Sequence, residues 1–314
     1  MKDFYNLFPD EVKTYEGYIL TAIDGSDCEV LNTPQTRKKY KPITVKESNR
    51  IARIKLSNCY DILNNYVLDT EIAEYKHGEN ELAERHMNQL EKIIIKYPVI
   101  SIRDRGYLSL SYMFHSVKDD KKFVIRLSQR YFKIEQKSMT SDDEWVTIQY
   151  QYDRIRGNKD SDPELYQYYE NGNTIKIRFV NIELPTGEIE TIMTNLDSDE
   201  FTADDISKIY NLRWEIETSY AYLKEGMMIT NISSSKDCII KQEIYSQMMV
   251  YNIIQSITND LESDIEHEKY KHPMKINTNM AIGFVKRFLV KILIEDDEIR
   301  RSELSEQLFN NIFS

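Results

Sequence analysis

Little in this chain suits a secreted, disulfide-built or membrane-spanning protein. It has three cysteines, Cys28, Cys59 and Cys238, widely separated and odd in number. That usage excludes a disulfide framework and a CxxC metal site and points to a reducing compartment. No stretch approaches the roughly 18 consecutive apolar residues that a membrane span requires. The start, Met1-Lys2-Asp3-Phe4, lacks the apolar core of a signal peptide. The five histidines form no HExxH or comparable ligand spacing, and no internal repeat or low-complexity tract is present. An excess of basic charge is missing too. With 41 Lys+Arg against 52 Asp+Glu the net charge is −11, opposite to the usual balance of a nucleic-acid-binding domain. What is present, 41% hydrophobic and 30% charged residues over 314 positions, describes a globular cytoplasmic protein of one large domain or two.

The patterning predicts an α/β core. Tyr18–Ile23 is an apolar run with strand character that ends at Asp24-Gly25-Ser26-Asp27. Ile51–Leu56 alternates apolar and basic residues with period two. Tyr60–Leu68 is its expected hairpin partner, with Asn64-Asn65 as the turn. A helical pattern over Asn80–Lys96 stops at Pro98. The short strand Val99–Ile102 then delivers Asp104-Arg105-Gly106-Tyr107, and Phe123–Leu127 is a further strand. Residues 128–198 read as a β-rich insertion subdomain, with strands at Val146–Tyr152, Ile175–Leu184 and Glu188–Thr194. This divides the chain into a first core segment (1–127), the insertion, a core completion (199–260) and a helical C-terminal region (261–314).

Thr202 and Asp205 resemble a capping box opening a helix that runs to Lys224. At about 100° per residue, Tyr210, Arg213, Glu217 and Lys224 fall within an arc of roughly 60°. The neighbouring stripe, Ile209, Leu212, Ile216, Tyr220 and Leu223, is apolar and faces the core. A carboxylate flanked by two cations and a phenol on that boundary suits an acid with phosphate-binding neighbours. An ordinary amphipathic helix with i,i+4 ion pairs explains the same spacing. Strand-end Asp24 and Asp104 change the balance: with a helical glutamate, such carboxylates can converge on divalent cations, and Mg²⁺ prefers oxygen ligands. Trp214 reads as core, Trp145 as core or hairpin. The Lys118–Lys137 stretch, with seven Lys/Arg against three Asp/Glu, is a candidate phosphate-contacting edge.

Three blocks, IDGSD around Asp24, DRGY from Asp104 and YNLRWEIETSYAYLK from Tyr210 to Lys224, resemble the DDE transposases of the IS-4 insertion-sequence family. The resemblance spans nearly the whole chain, insertion included. It implies an RNase H-like core, a mixed sheet flanked by helices, with Asp24, Asp104 and Glu217 as catalytic metal ligands. It implies Mg²⁺, replaceable by Mn²⁺, as two ions. Tyr210, Arg213 and Lys224 would hold DNA phosphates, and Arg105 and Tyr107 would also touch DNA. The implied partner is double-stranded DNA, as terminal inverted repeats and target, bound by a dimer in a synaptic complex. The implied reaction is end cleavage followed by strand transfer. Only 23 residues precede Asp24, so the expectation is a copy lacking an N-terminal DNA-recognition domain. A nuclease of the same fold without strand transfer, and an inactive DNA-binding remnant, are the alternatives.

Overall fold

A computed structural model of the chain describes residues 2–40, 51–94, 96–149, 151–184, 186–263 and 276–313. Its strands are β1 (Ile19–Glu29), β2 (Arg53–Asp61), β3 (Tyr66–Glu74), β4 (Val99–Arg103), β5 (Lys122–Arg126), β6 (Asp143–Ile148), β7 (Ile175–Glu183) and β8 (Ile189–Thr194). Before and between the first five strands lie α1 (Lys2–Leu7), α2 (Pro34–Tyr40), α3 (Glu79–Ile93) and α4 (Leu110–Lys118). Short helices α5 (Lys133–Ser138), α6 (Tyr152–Ile155) and α7 (Pro163–Glu170) accompany β6 and β7. The remaining helices are α8 (Ala203–Asn211), α9 (Trp214–Ala221), α10 (Asp237–Ser263), α11 (Thr278–Ile294) and α12 (Glu298–Phe313). Of the predicted C-terminal region, residues 264–275 lie outside the described ones.

All eight strands form one sheet in the order β3-β2-β1-β4-β5-β8-β7-β6. β1, β2 and β3 form an antiparallel meander, and β4 and β5 run parallel to β1. This mixed order, with one antiparallel excursion before the parallel strands, is the RNase H-like arrangement. The turn at Asn64-Asn65 falls where expected, with Asn65 in the left-handed region at φ 60°. Tyr60, however, belongs to β2 rather than to its partner.

The 128–198 segment differs from the expected insertion. β8 pairs antiparallel with β5, and β7 and β6 follow outward, so its strands extend the core sheet. Helices cover both faces and divide the buried residues in two. One cluster joins β1, β2 and β4 residues such as Leu20, Ile54 and Ile102 to α8–α12. The other joins Ile19, Ile23, Phe123 and Phe179 to α1, α3 and α4. Adjacent residues of β1 supply opposite layers, as the period of two requires.

Candidate active site

β1 does not end at Asp24. It continues to Glu29, because Gly25, Ser26 and Asp27 pair with Ser57, Leu56 and Lys55 of β2. The Gly-Ser-Asp run has turn chemistry, but a complete ladder with β2 overrides it. On its other side β1 pairs with β4 only as far as Ala22↔Ile102. Asp24 and Asp104 each lie two residues beyond that last pair, at the same end of the two strands.

The third block approaches from above. The capping box is present: the Thr202 hydroxyl accepts from the Asp205 amide, and the Asp205 carboxylate accepts from the Thr202 amide. The helix it opens ends at Asn211, and α9 begins again at Trp214. After Ala221 the chain widens into a π-helical turn, Tyr222–Gly226. A single continuous helix is therefore corrected to two short helices and a π turn. Ile209, Ile216, Tyr220 and Leu223 are all buried as their spacing predicts. The break turns Trp214 outward, 58% exposed, against the expected core position. Trp145 on β6 is also exposed.

Tyr220 ties α9 to the strand carrying Asp24. Its hydroxyl donates to the Asp24 carbonyl at 2.8 Å and faces the Leu56 carbonyl at 3.3 Å. Glu217, one turn earlier, is thereby brought to the same end of β1. Arg213 Nη1 pairs with Glu217 Oε1 at 2.9 Å, and its charge bears on Asp24 and Asp104 as well. The guanidinium is buried, and its Nε has no partner. Arg126 of β5 donates from Nε to Asp104 Oδ1 at 3.1 Å and pairs through Nη1 with Glu190 of β8. The Tyr210 hydroxyl lies 3.4 Å from the same Asp104 oxygen. The structure thus gathers Asp24, Asp104, Glu217, Tyr210 and Arg213. Lys224 stands apart, half-buried in the π turn, where its charge bears on Cys28, four residues along β1 from Asp24.

Arg105 is exposed and lines a cleft of about 800 Å³ with Arg126, Arg130, Gln129, Glu188 and Glu190. Tyr107, expected to touch DNA, is instead buried at 3% exposure, its ring in the α3–α4 layer. Sequence reasoning misses Glu190 and Glu79, reaches Arg126 only as a member of the basic Lys118–Lys137 stretch, and reads Tyr220 only as a core position of the apolar stripe.

Burial pushes the Asp24 carboxyl up to about 6, and Glu217 and Glu79 push in the same direction. The Gly25 amide and the Arg213 guanidinium oppose that rise. A carboxylate so disfavoured as an anion gains most from a dication. The donors are all oxygen, which suits Mg²⁺ or Mn²⁺. Among the described residues no three acidic, His or Cys groups stand arranged around a common metal position. Asp104 and Glu217 are turned toward Arg126 and Arg213 instead. The donor chemistry fits a hard dication, and binding one would exchange these arginine contacts for metal contacts.

Beneath the site, buried His86 sets Nδ1 2.6 Å from Asp69 Oδ2 and Nε2 3.0 Å from Ser57 Oγ. This has the order of a hydrolase triad, but Ser57 is buried at 2% exposure and faces the Asp24 carbonyl at 3.5 Å. It packs the β1–β2 ladder rather than meeting a substrate.

The fold and its carboxylates define a protein of the RNase H-like class, with two aspartates beyond the same end of the central β1–β4 pair and a helical glutamate brought to that end. The sequence profile of the transposase DDE domain family matches residues 15–253. The chain belongs to that family. It is 21% identical over 282 residues to the transposase InsG for insertion sequence element IS4 from Escherichia coli strain K12. That alignment takes in 88% of this chain and spans 60% of the length of the curated relative. Among solved structures, the piggyBac transposase synaptic complex with hairpin DNA aligns with 99% of this chain and 61% of its own. It does so at 11% identity and a TM-score of 0.48. No helix among the described residues is long and apolar enough to cross a membrane.

Proposed function

We propose that the chain is a metal-dependent DNA transposase that cleaves phosphodiester bonds at the ends of its element and joins the freed 3′-OH to target DNA. The supporting observation is that Asp24 and Asp104 both follow the last β1–β4 pair by two residues, with Glu217 on a helix pinned to β1 by Tyr220. Asp24, Asp104 and Glu217 are the residues that would hold Mg²⁺, with Mn²⁺ as substitute. Bound there as a pair of ions, the metal would activate the attacking oxygen and stabilise the leaving one.

The chain's own side chains divide the remaining work. Arg213, held by Glu217 in this structure, becomes available to a DNA phosphate once that carboxylate turns away, while Arg126 keeps its pair with Glu190 when Asp104 does so. An arginine fork suits that contact, because it can grip two phosphate oxygens at once. Arg105 stands exposed in the adjoining cleft, where DNA can reach it. Tyr210 orients Asp104 through its hydroxyl. Lys224 gives a point charge farther along the same edge. The net charge of −11 then matters less than this local basic lining. The partners are double-stranded DNA, as terminal inverted repeats and target, held by a dimer across two ends.

The test is cleavage and joining of DNA bearing the inverted repeats that flank the gene. Expected are nicked and joined products with Mg²⁺ or Mn²⁺, none with EDTA, and none from Asp104→Ala. Cleavage without joining would indicate a nuclease. Retarded DNA with no cleavage under either metal would indicate an inactive binding remnant.

A further inference from the structure

Glu79 opens α3, where a carboxylate is favoured by the positive end of the helix. Its Oε1 accepts an ion pair from Lys55 Nζ at 3.0 Å. So far this is an ordinary bridge, but the reach of the carboxylate is not ordinary. Oε1 lies 3.8 Å from the point where a Cβ would stand on Gly25, and Oε2 lies 3.7 Å from that point on Gly106. Gly25 follows Asp24, and Gly106 comes two residues after Asp104. One carboxylate therefore spans the space between the two aspartate-bearing segments. A Cβ at either glycine would stand in ordinary van der Waals contact with that carboxylate.

A second observation meets the first. The Tyr107 hydroxyl lies 3.6 Å from the same Cβ position of Gly25. That side chain is 3% exposed, and its hydroxyl has no hydrogen-bond partner among the described residues. Buried polar atoms nearly always have partners, so an unpartnered hydroxyl close to the Glu79 carboxylate marks a place for a hydrated ligand. Three of the four carboxylates, Asp104, Glu217 and Glu79, are now answered by Arg126, Arg213 and Lys55, and dications would take the place of those cations.

We propose that Glu79 is a fourth carboxylate of the metal-binding cradle. It holds a dication beside Asp24, directly or through a metal-bound water, with the Tyr107 hydroxyl bonded to that carboxylate–water shell. Lys55 supplies the countercharge to Glu79 when no dication is present. The proposal rests on the reading of Asp24, Asp104 and Glu217 as metal carboxylates.

The test is titration of the full chain with Mn²⁺, read by loss of the free-ion electron paramagnetic resonance signal, for wild type, Glu79→Gln, Lys55→Met and Asp24→Asn. Glu79→Gln keeps the side chain's shape and is expected to weaken Mn²⁺ binding by about tenfold, as loss of a supporting ligand does. Lys55→Met removes the competing ammonium and is expected to tighten it. Glu79→Gln binding within threefold of wild type, while Asp24→Asn loses tenfold or more, overturns the proposal and leaves the three-carboxylate site standing. Unchanged binding in both Glu79→Gln and Asp24→Asn removes the three-carboxylate reading and the proposal together. Lys55→Met that binds no more tightly than wild type contradicts the role given to Lys55.

Discussion

Arg178 on β7 and Arg213 between α8 and α9 are both buried arginines, and their guanidinium groups are answered very differently. Arg178 grips Asp143 with two bonds, at 2.7 and 2.6 Å, and gives its remaining nitrogen to the Phe201 and Leu196 carbonyls. Arg213 has one carboxylate at 2.9 Å and an Nε without a partner. The contrast extends beyond these two residues. Near β6 and β7, Arg154 likewise grips Glu135 with two bonds. Around β1 and β4, by contrast, buried Arg103 and Arg213 each keep a guanidinium nitrogen with no partner among the described residues; among neutral groups the Tyr107 hydroxyl near β1 and the Tyr169 hydroxyl near β7 are alike in this. Charge at the far end of the sheet closes on itself and serves the fold. Charge at the near end is left open, and an open site is what a metal and a phosphate backbone require.

The largest effect should come from breaking the closed end. Arg178→Ala strands two buried carbonyls and removes both bonds to Asp143, and urea unfolding should show a loss of about 2–4 kcal/mol. Arg213→Ala removes a single bond, to partly exposed Glu217, and should cost less than about 1.5 kcal/mol. Equal losses would erase the distinction between the two ends.

Next comes a change of opposite sign. The folded-state pKa of Asp24, about 6, lies above its usual value, so the native state binds its proton more tightly than the unfolded chain does. Its contribution to stability therefore falls as pH rises from about 4 to about 6, and the penalty persists above that. Asp24→Asn should accordingly raise metal-free stability at pH 7 by about 1–3 kcal/mol, read by thermal melts. A destabilised variant would place Asp24 in the closed class.

The same shift predicts a pH profile for metal. Because Asp24 must lose its proton to bind a dication, Mn²⁺ affinity should drop about tenfold for each pH unit below about 6. A flat titration between pH 5 and 7 would remove Asp24 from the metal site. The smallest effect is expected from Tyr220→Phe. It deletes the tie from α9 to the Asp24 carbonyl and should cost about 1 kcal/mol, measured by the same unfolding curves. No loss at all would mean that the tie does not hold α9 against β1.

The Asp104 and Glu217 candidates rest on local pattern: a short apolar strand followed by DRGY, and a carboxylate beside an apolar helical stripe. The apolar periodicity of Ile209, Ile216 and Tyr220 survived the break at Leu212-Arg213, which is why the core face was read correctly and the helix continuity was not. Trp214 was misplaced by the same break. The course of β1 beyond Asp24 depends on its ladder with β2, which turn chemistry at Gly25-Ser26-Asp27 does not reveal. The joining of β8 to β5, which makes the 128–198 strands part of the core sheet, is likewise a long-range pairing. Glu79 carries no local mark for a related reason: its carboxylate meets the chain at Gly25 and Gly106, 54 and 27 residues away.

The most direct measurement of the central claim is anomalous diffraction from crystals of the full chain soaked in Mn²⁺. The account predicts manganese bound by carboxylate oxygens of Asp24, Asp104 and Glu217 together, at about 2.0–2.3 Å, with Arg213 released from Glu217. Manganese bound elsewhere, or Glu217 still paired with Arg213 and out of reach of a metal on the two aspartates, would contradict it.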